Sequence, residues 1–429
     1  MSRAARSPES PPDGVAAAAP ARPASIAAPP SVIPASLEEV GTGWLTQMLR
    51  ASGSLGDAHV EQVTAHRIGE GSGFVGDLAR LELVYDRAAP GAPTTLVAKL
   101  PTLARNRDTA ELGGSYEREI RFYREVADTL PIRTPRCLGA AYDRARGQRL
   151  ALLLVRLLDC APARARRLAF ERARRAVASR GRRYVLLLED LGGLVPGDQV
   201  AGCSREQAEA ALRAAASLHA SHWESAALRR IWWGLSFYLA PRTAQMFFRD
   251  GMVSVLREAG PAVSPRVQEL MEHLREHGTR FLRSLRRLPR TLIHSDFRLD
   301  NLFFSSVGSE PPVTVCDWQT VGPGPAAYDV AYFVASALGP DATADDEDDL
   351  LHVYHDTLRA TGVSAYGFDA LRVDYVRGMV AVLHRMTSGI ELITVEGARG
   401  AALREVGFEA CFRRLDAQPA DLIAAALDR

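Results

Sequence analysis

The chain has 429 residues, 47% of them hydrophobic, and a formal net charge of +1. That is enough for a large core or two lobes sharing a cleft, and the balanced charge argues against nucleic acid or an anionic membrane as a general partner. No apolar run reaches the ~18–20 residues of a membrane span. The five cysteines (Cys137, Cys160, Cys203, Cys316 and Cys411) form no CxxC pair, so reduced thiols in a cytoplasmic protein are expected rather than a disulfide frame or a zinc site.

Residues 1–35 are rich in Ala, Pro and Ser without apolar periodicity and are expected to be disordered; whether they carry a targeting signal is open. The run 36–50 predicts a short helix capped by Ser36, with Glu39 closing a capping box. Strands follow at Val60–Ile68, Leu78–Tyr85 and Thr94–Leu100. A helix is expected over Glu111–Leu130, ending before Pro131, and two more strands over Cys137–Tyr142 and Tyr184–Leu188. Beyond Leu191 the pattern is helical except around 291–318. A strand-rich first part and a helix-rich second part predict an α+β chain of two lobes, 36–190 and 191–429.

The segment 148–183 interrupts this pattern. It is arginine-rich, and its opening RGQRLALLLVRLL echoes RGRRYVLLLEDLG further on. Without it, the flanking strands would be joined by a short turn. It is therefore expected to be an excursion from the first lobe, helical or poorly ordered, with solvent-facing arginines and no part in catalysis. A basic nucleic-acid patch is the alternative, and a solvated basic helix the commoner outcome.

Lysine occurs once, at Lys99, and asparagine twice, at Asn106 and Asn301. Arginine replaces lysine well on a solvated surface and poorly where a compact ammonium must fit between a phosphate and a carboxylate. Lys99 lies in the apolar strand Leu96-Val-Ala-Lys-Leu100, where a charge needs a partner. The next helix offers Glu117 and Glu119; Glu119, beside Ile120 and Phe122, is the better placed to border a buried face. Ahead of this strand, Gly71-Ser-Gly73-Phe-Val-Gly76 opens a strand rather than a helix. Such a strand–turn–strand can lay its backbone over nucleotide phosphates, or be an ordinary hairpin turn.

The most informative run is Thr291–Phe304, which holds His294-x-Asp296-x₄-Asn301 between apolar ends, followed by Val313-Thr-Val-Cys-Asp317. Phosphoryl transfer needs a carboxylate beside the attacking hydroxyl and oxygen donors for magnesium. Asp296 suits the first task, Asn301 and Asp317 the second. The pairs His219/His222 and His352/His355 have metal-ligand spacing without a third ligand nearby. Trp223, Trp232, Trp233, Phe237 and Tyr238 are candidates for an acceptor pocket or for core.

These motifs resemble the aminoglycoside phosphotransferase and choline kinase superfamily, most of all its ecdysteroid-kinase-like (CHK-kinase-like) branch, over roughly 60–390 with 148–183 as an insertion. The resemblance implies a protein-kinase-like fold with a strand-rich N-lobe and a helical C-lobe. It implies ATP and Mg2+ as cofactors and a small-molecule alcohol as substrate. In that frame Asp296 is the catalytic base, Asn301 and Asp317 hold magnesium, and Lys99, oriented by Glu119, contacts the phosphates under the loop of Gly71, Gly73 and Gly76. Glu189 and Leu191 form the adenine-binding hinge, Asp329 supports the catalytic loop from behind, and Arg298 is a candidate contact to the transferred phosphate. Ser295 departs from the family's usual glycine. The alternatives are a nucleotide-binding pseudokinase whose hinge the insertion has spoiled, and a nucleic-acid binder built on the basic segment.

Overall fold

The computed structural model describes residues 32–69, 76–102, 106–144, 148–236, 239–306, 308–310, 312–395 and 397–428. Most of the 1–35 tail, together with Gly71, Gly73, Phe237 and Tyr238, lies outside the described residues.

The first lobe opens with α1 (Thr42–Ala51) and continues through β1 (Val60–Ile68), β2 (Gly76–Tyr85), β3 (Thr95–Pro101), α2 (Asn106–Leu112), α3 (Ser115–Glu125) and β4 (Cys137–Tyr142). A helical hairpin, α4 (Gln148–Leu158) and α5 (Ala163–Ala178), leads into β5 (Tyr184–Glu189). The strands form one antiparallel sheet in the order β1-β2-β3-β5-β4. One face is closed by Leu45, Met48 and Leu49 of α1, packed on Ala79, Leu81, Leu96 and Ala98. Alternation of apolar and polar residues on β2 puts its apolar set on this face.

Two expectations need correction. Ser36 makes no capping bond to a helix: Leu37–Glu39 is a single 3-10 turn, Glu39 accepts from Ala35 N–H, and α1 begins only after Gly41. The helix expected over 111–130 is broken into α2 and α3 by Gly113 and Gly114, and Gly114 takes φ 72°, a conformation glycine adopts without steric cost.

The segment 148–183 is helical, yet it is not detached. The Asp159 carboxylate, beyond the end of α4, accepts from the backbone N–H groups of Arg242 and Thr243 and from the Thr243 hydroxyl. Phe170 packs edge-on against Phe247 at 4.9 Å, Arg167 pairs with Asp250, and Arg174 reaches Asp108 on α2. Nor do all its arginines face solvent, since Arg182 is turned inward onto Glu117 and the Asp143 carbonyl. The hairpin therefore touches both lobes. It leaves the strand pairing intact, with Tyr142 opposite Tyr184 and Leu96 opposite Glu189.

The second lobe holds β6 (Val195–Pro196), α6 (Arg205–Ser221), α7 (Pro241–Ala259), α8 (Pro265–Ser284), β7 (Arg290–Ile293), β8 (Leu302–Phe304), β9 (Val313–Val315), β10 (Gly322–Pro325), α9 (Ala326–Ala337), α10 (Ala344–Ala360), α11 (Phe368–Gly389), α12 (Gly397–Ala417) and α13 (Ala420–Leu427). Its short strands pair as β10-β7 and β6-β8-β9 at the lobe boundary. They hold the loops that follow β7 and β9 against Trp318 and α9, which is buried along its length except at Tyr332.

Candidate active site

Lys99 projects from β3 into the space between the lobes and is 8% exposed. Its Nζ lies 2.9 Å from both carboxylate oxygens of Glu119 on α3 and 2.9 Å from Oδ1 of Asp317, which follows β9. Burial works against the Lys99 ammonium, but the Asp317 and Glu119 carboxylates override it and hold the proton more tightly than in water. Burial pushes the Glu119 carboxyl up, with Lys99 opposing. Glu117 makes a different set of contacts, pairing with Arg121 and Arg182. Gly76 starts β2 beside this lysine: a Cβ there would sit 3.1 Å from Lys99 Cε.

Helix α3 is fixed against the second lobe by aromatic packing. The Phe122 ring stacks on Trp318 at 4.0 Å, Trp318 meets the His294 ring at 4.6 Å, and Arg118 Nη1 donates to the Gln319 carbonyl. The position of Glu119 is thereby coupled to the loops carrying Asp317 and His294.

The loop after β7 is held from within. The Asp329 carboxylate, fully buried on α9, accepts from the backbone N–H groups of His294 and Ser295 and lies 3.4 Å from His219 Nε2. His294 donates from Nε2 to the Cys316 carbonyl and accepts the Asp296 N–H at Nδ1, which sets its tautomer. Ser295 takes φ 68° and Asp317 φ 61°, the left-handed region that favours glycine.

Asn301 donates its amide to the Asp296 carboxylate at 2.9 Å and to the Asp296 carbonyl at 2.8 Å. Among the described residues nothing donates to its side-chain oxygen. The Cys316 N–H bonds to the Asn301 carbonyl at 2.9 Å, setting Asn301 next to the Asp317 turn. Asn301 and Asp317 thus offer hard oxygen donors of the kind Mg2+ takes, and two protein ligands suffice for an ion that completes its shell with water and phosphate. No cluster of three or more His, Cys, Asp or Glu able to hold a metal occurs among the described residues. His219 instead bonds to Tyr354 and Asp329, and His355 to the Tyr366 carbonyl.

Arg298, 8% exposed, lies 2.9 Å from Asp300 and 3.4 Å from Asp296. Burial would raise the Asp296 carboxyl, but the Arg298 guanidinium, helped by Arg385, holds it below its ordinary value. Asp300 in turn accepts from Gln199 N–H and Arg399, tying the loop to the segment after β6 and to α12. Glu189 and Leu191 lie at the end of β5 between the lobes. The Glu189 carboxylate binds Arg133 and the Arg136 N–H, and the intervening Asp190 pairs with Arg80 on β2.

Lys99, Glu119, Asp317, Asn301, Asp296 and Arg298 therefore form one connected cluster. The sequence reading missed Arg385, Arg118 and the Phe122–Trp318 stack, because each depends on contacts between segments far apart in the chain. Trp233 is buried and donates to Glu125, Trp232 faces Arg121 and Arg149, and Trp223 packs on Tyr366.

A family model described as the phosphotransferase enzyme family matches residues 84–366. Among solved structures, choline kinase from Cryptosporidium parvum is similar at 9% identity, over 82% of this chain and 89% of that one, with a TM-score of 0.47. A choline/ethanolamine kinase family protein from Mesorhizobium loti is similar at 14% identity, over 90% and 97%, with a TM-score of 0.44. An aminoglycoside phosphotransferase from Streptomyces rimosus is similar at 17% identity, over 81% and 97%, with a TM-score of 0.37. No curated protein sequence matches the chain significantly.

Proposed function

Because the chain belongs to the phosphotransferase enzyme family, we propose that it moves the γ-phosphoryl group of ATP, with Mg2+, to a hydroxyl of a small molecule. The observation that carries this reading is the single connected cluster of Lys99, Asp317, Asn301 and Asp296. Lys99 would bind the nucleotide phosphates, held by Glu119 and released from Asp317 as the phosphates arrive. Asn301 and Asp317 would hold Mg2+, which neutralises charge developing on the phosphates when bound. Asp296, kept ionised by Arg298 and oriented by Asn301, would accept the proton of the attacking hydroxyl. Catalysis would then rest on positioning and charge stabilisation.

The proposal includes lobes at 36–190 and 191–429, with Glu189 and Leu191 presenting backbone groups to adenine and Gly76 flanking the phosphates. It also places the chain in the CHK-kinase-like branch, on the resemblance of the run from His294 to Asn301 and of Asp317. The intact pairing of β5 with β3 and β4 weighs against a hinge spoiled by the insertion. Acceptor-dependent ADP release, measured across hydroxylated metabolites and antibiotics with and without Mg2+, tests the reading. Failure of the folded protein to bind ATP would end it.

A further inference from the structure

Helix α4 carries an apolar stripe that the other described residues leave uncovered. Leu150, Leu153, Leu154, Leu157 and Leu158 recur at i, i+3, i+4, i+7 and i+8, the spacing of one helix face. Such a face ordinarily packs into a core, yet these residues are 59%, 52%, 48%, 61% and 43% exposed. Leu168 on α5 adds a further exposed leucine at 51%. The hairpin is not a loose end, because Asp159, Phe170 and Arg167 moor it to α7. A moored helix presenting a contiguous leucine face implies something that covers it.

Charge restricts what that can be. Residues 148–180 hold nine arginines and only two acids, Asp159 and Glu171. Asp159 is buried on the α7 terminus, and Glu171 pairs with Arg174. Arg156, Arg164, Arg172, Arg175 and Arg180 are exposed and make no ion pair among the described residues. A second copy of the chain would bring two such basic hairpins together and be repelled. The stripe also lacks the Trp or Tyr anchors that dominate protein–protein hot spots. An anionic lipid surface satisfies both features: leucines enter the acyl boundary while arginine stems lie along it and their heads meet lipid phosphates.

We propose that the leucine face of α4, with the arginines of the α4–α5 hairpin, seats the protein on an anionic membrane surface. No helix of the described residues is long and apolar enough to cross a membrane, and lying in the interface requires no such helix. The proposal is independent of the phosphotransfer reading.

The test is co-sedimentation of the full chain with phosphatidylcholine vesicles, with and without phosphatidylserine, at low and high salt. Wild type should sediment with the serine-lipid vesicles, and less so as salt rises. The double variant Leu153→Glu/Leu157→Glu should bind at least ~10-fold more weakly. Both sites are exposed, so the variant should keep the wild-type melting temperature and ATP affinity. Three results would overturn the proposal: no sedimentation of folded wild type, equal binding to both vesicle types, or a concentration-dependent dimer that the double variant abolishes.

Discussion

Lys99 Nζ and Asp317 Oδ1 are 2.9 Å apart, so the chain's one lysine joins the two lobes. The same ammonium bonds to Glu119, and its stem runs so close to Gly76 of β2 that a Cβ added there would lie 3.1 Å from Lys99 Cε. An arginine head is wider and planar and cannot meet two carboxylates from different directions in this space. Lys99→Arg is therefore expected to lower kcat/KM at least ~10-fold with the fold retained. Wild-type kinetics in that variant would remove the argument that Lys99 survives because arginine fails there.

Asp296 is bonded to Asn301 and Arg298, not to Lys99 or Glu119. Its carboxyl is expected to serve the acceptor side. Asp296→Asn should abolish turnover and leave ATP affinity within a few-fold, as measured by calorimetric titration beside the steady-state assay. A comparable loss of ATP binding in a folded variant would reassign Asp296 to the nucleotide.

The sheet and the site residues were legible in the sequence for different reasons. β4 carries the apolar run of a buried strand and β1 precedes a glycine cluster, and the structure gives both the expected bounds. Lys99 and Asn301 stood out because an arginine-rich chain retains a lysine or asparagine rarely, and Asp296 through its spacing from His294 and Asn301. What was not legible was how separate segments meet. RLALLLVRLL becomes the exposed helix α4, whereas the similar YVLLLE becomes β5, buried between β3 and β4. Local composition does not distinguish the two; the partners on either side of β5 do. Arg385 and Trp318 matter through contacts that no local window contains.

Asp159 gives the segment 148–183 a part in the stability of the second lobe. Helix α7 begins at Pro241, and the residue before it, Ala240, has no side chain able to cap. Asp159 supplies the missing acceptor, taking the Thr243 N–H and hydroxyl at 2.8 Å and the Arg242 N–H at 3.2 Å. Asp159→Ala should cost about 1–2 kcal/mol, the range for losing an N-cap with its favourable charge at the helix N-terminus. Deletion of 148–181 should lower the melting temperature rather than raise it, because it also uncovers Phe247. An unchanged urea midpoint for Asp159→Ala would show that the contact carries no stability.

His384 gives the fold a pH dependence separable from catalysis. It is buried on α11, stacked on Phe248 at 4.6 Å, with Nε2 3.0 Å from Gln245 Oε1. Gln245 is itself fixed, because its Nε2 donates to the Leu274 and Arg275 carbonyls, so its oxygen faces the histidine and accepts. Burial lowers the His384 pKa from 6.5 to about 3. The unfolded chain therefore takes up this proton first. The stability linked to His384 is complete above pH ~6.5 and is lost as pH falls from there toward ~3, at up to about 1.4 kcal/mol per pH unit. The raised carboxyls of Glu111, Glu119 and Glu347 act in the opposite sense, but they are present in wild type and variant alike and cancel when the two proteins are compared between pH 7 and pH 5. Over that interval wild type should lose about 2 kcal/mol more in urea unfolding than His384→Gln, whose amide can still donate to Gln245 but does not titrate. Equal losses in the two proteins would show that His384 is not held neutral by the fold.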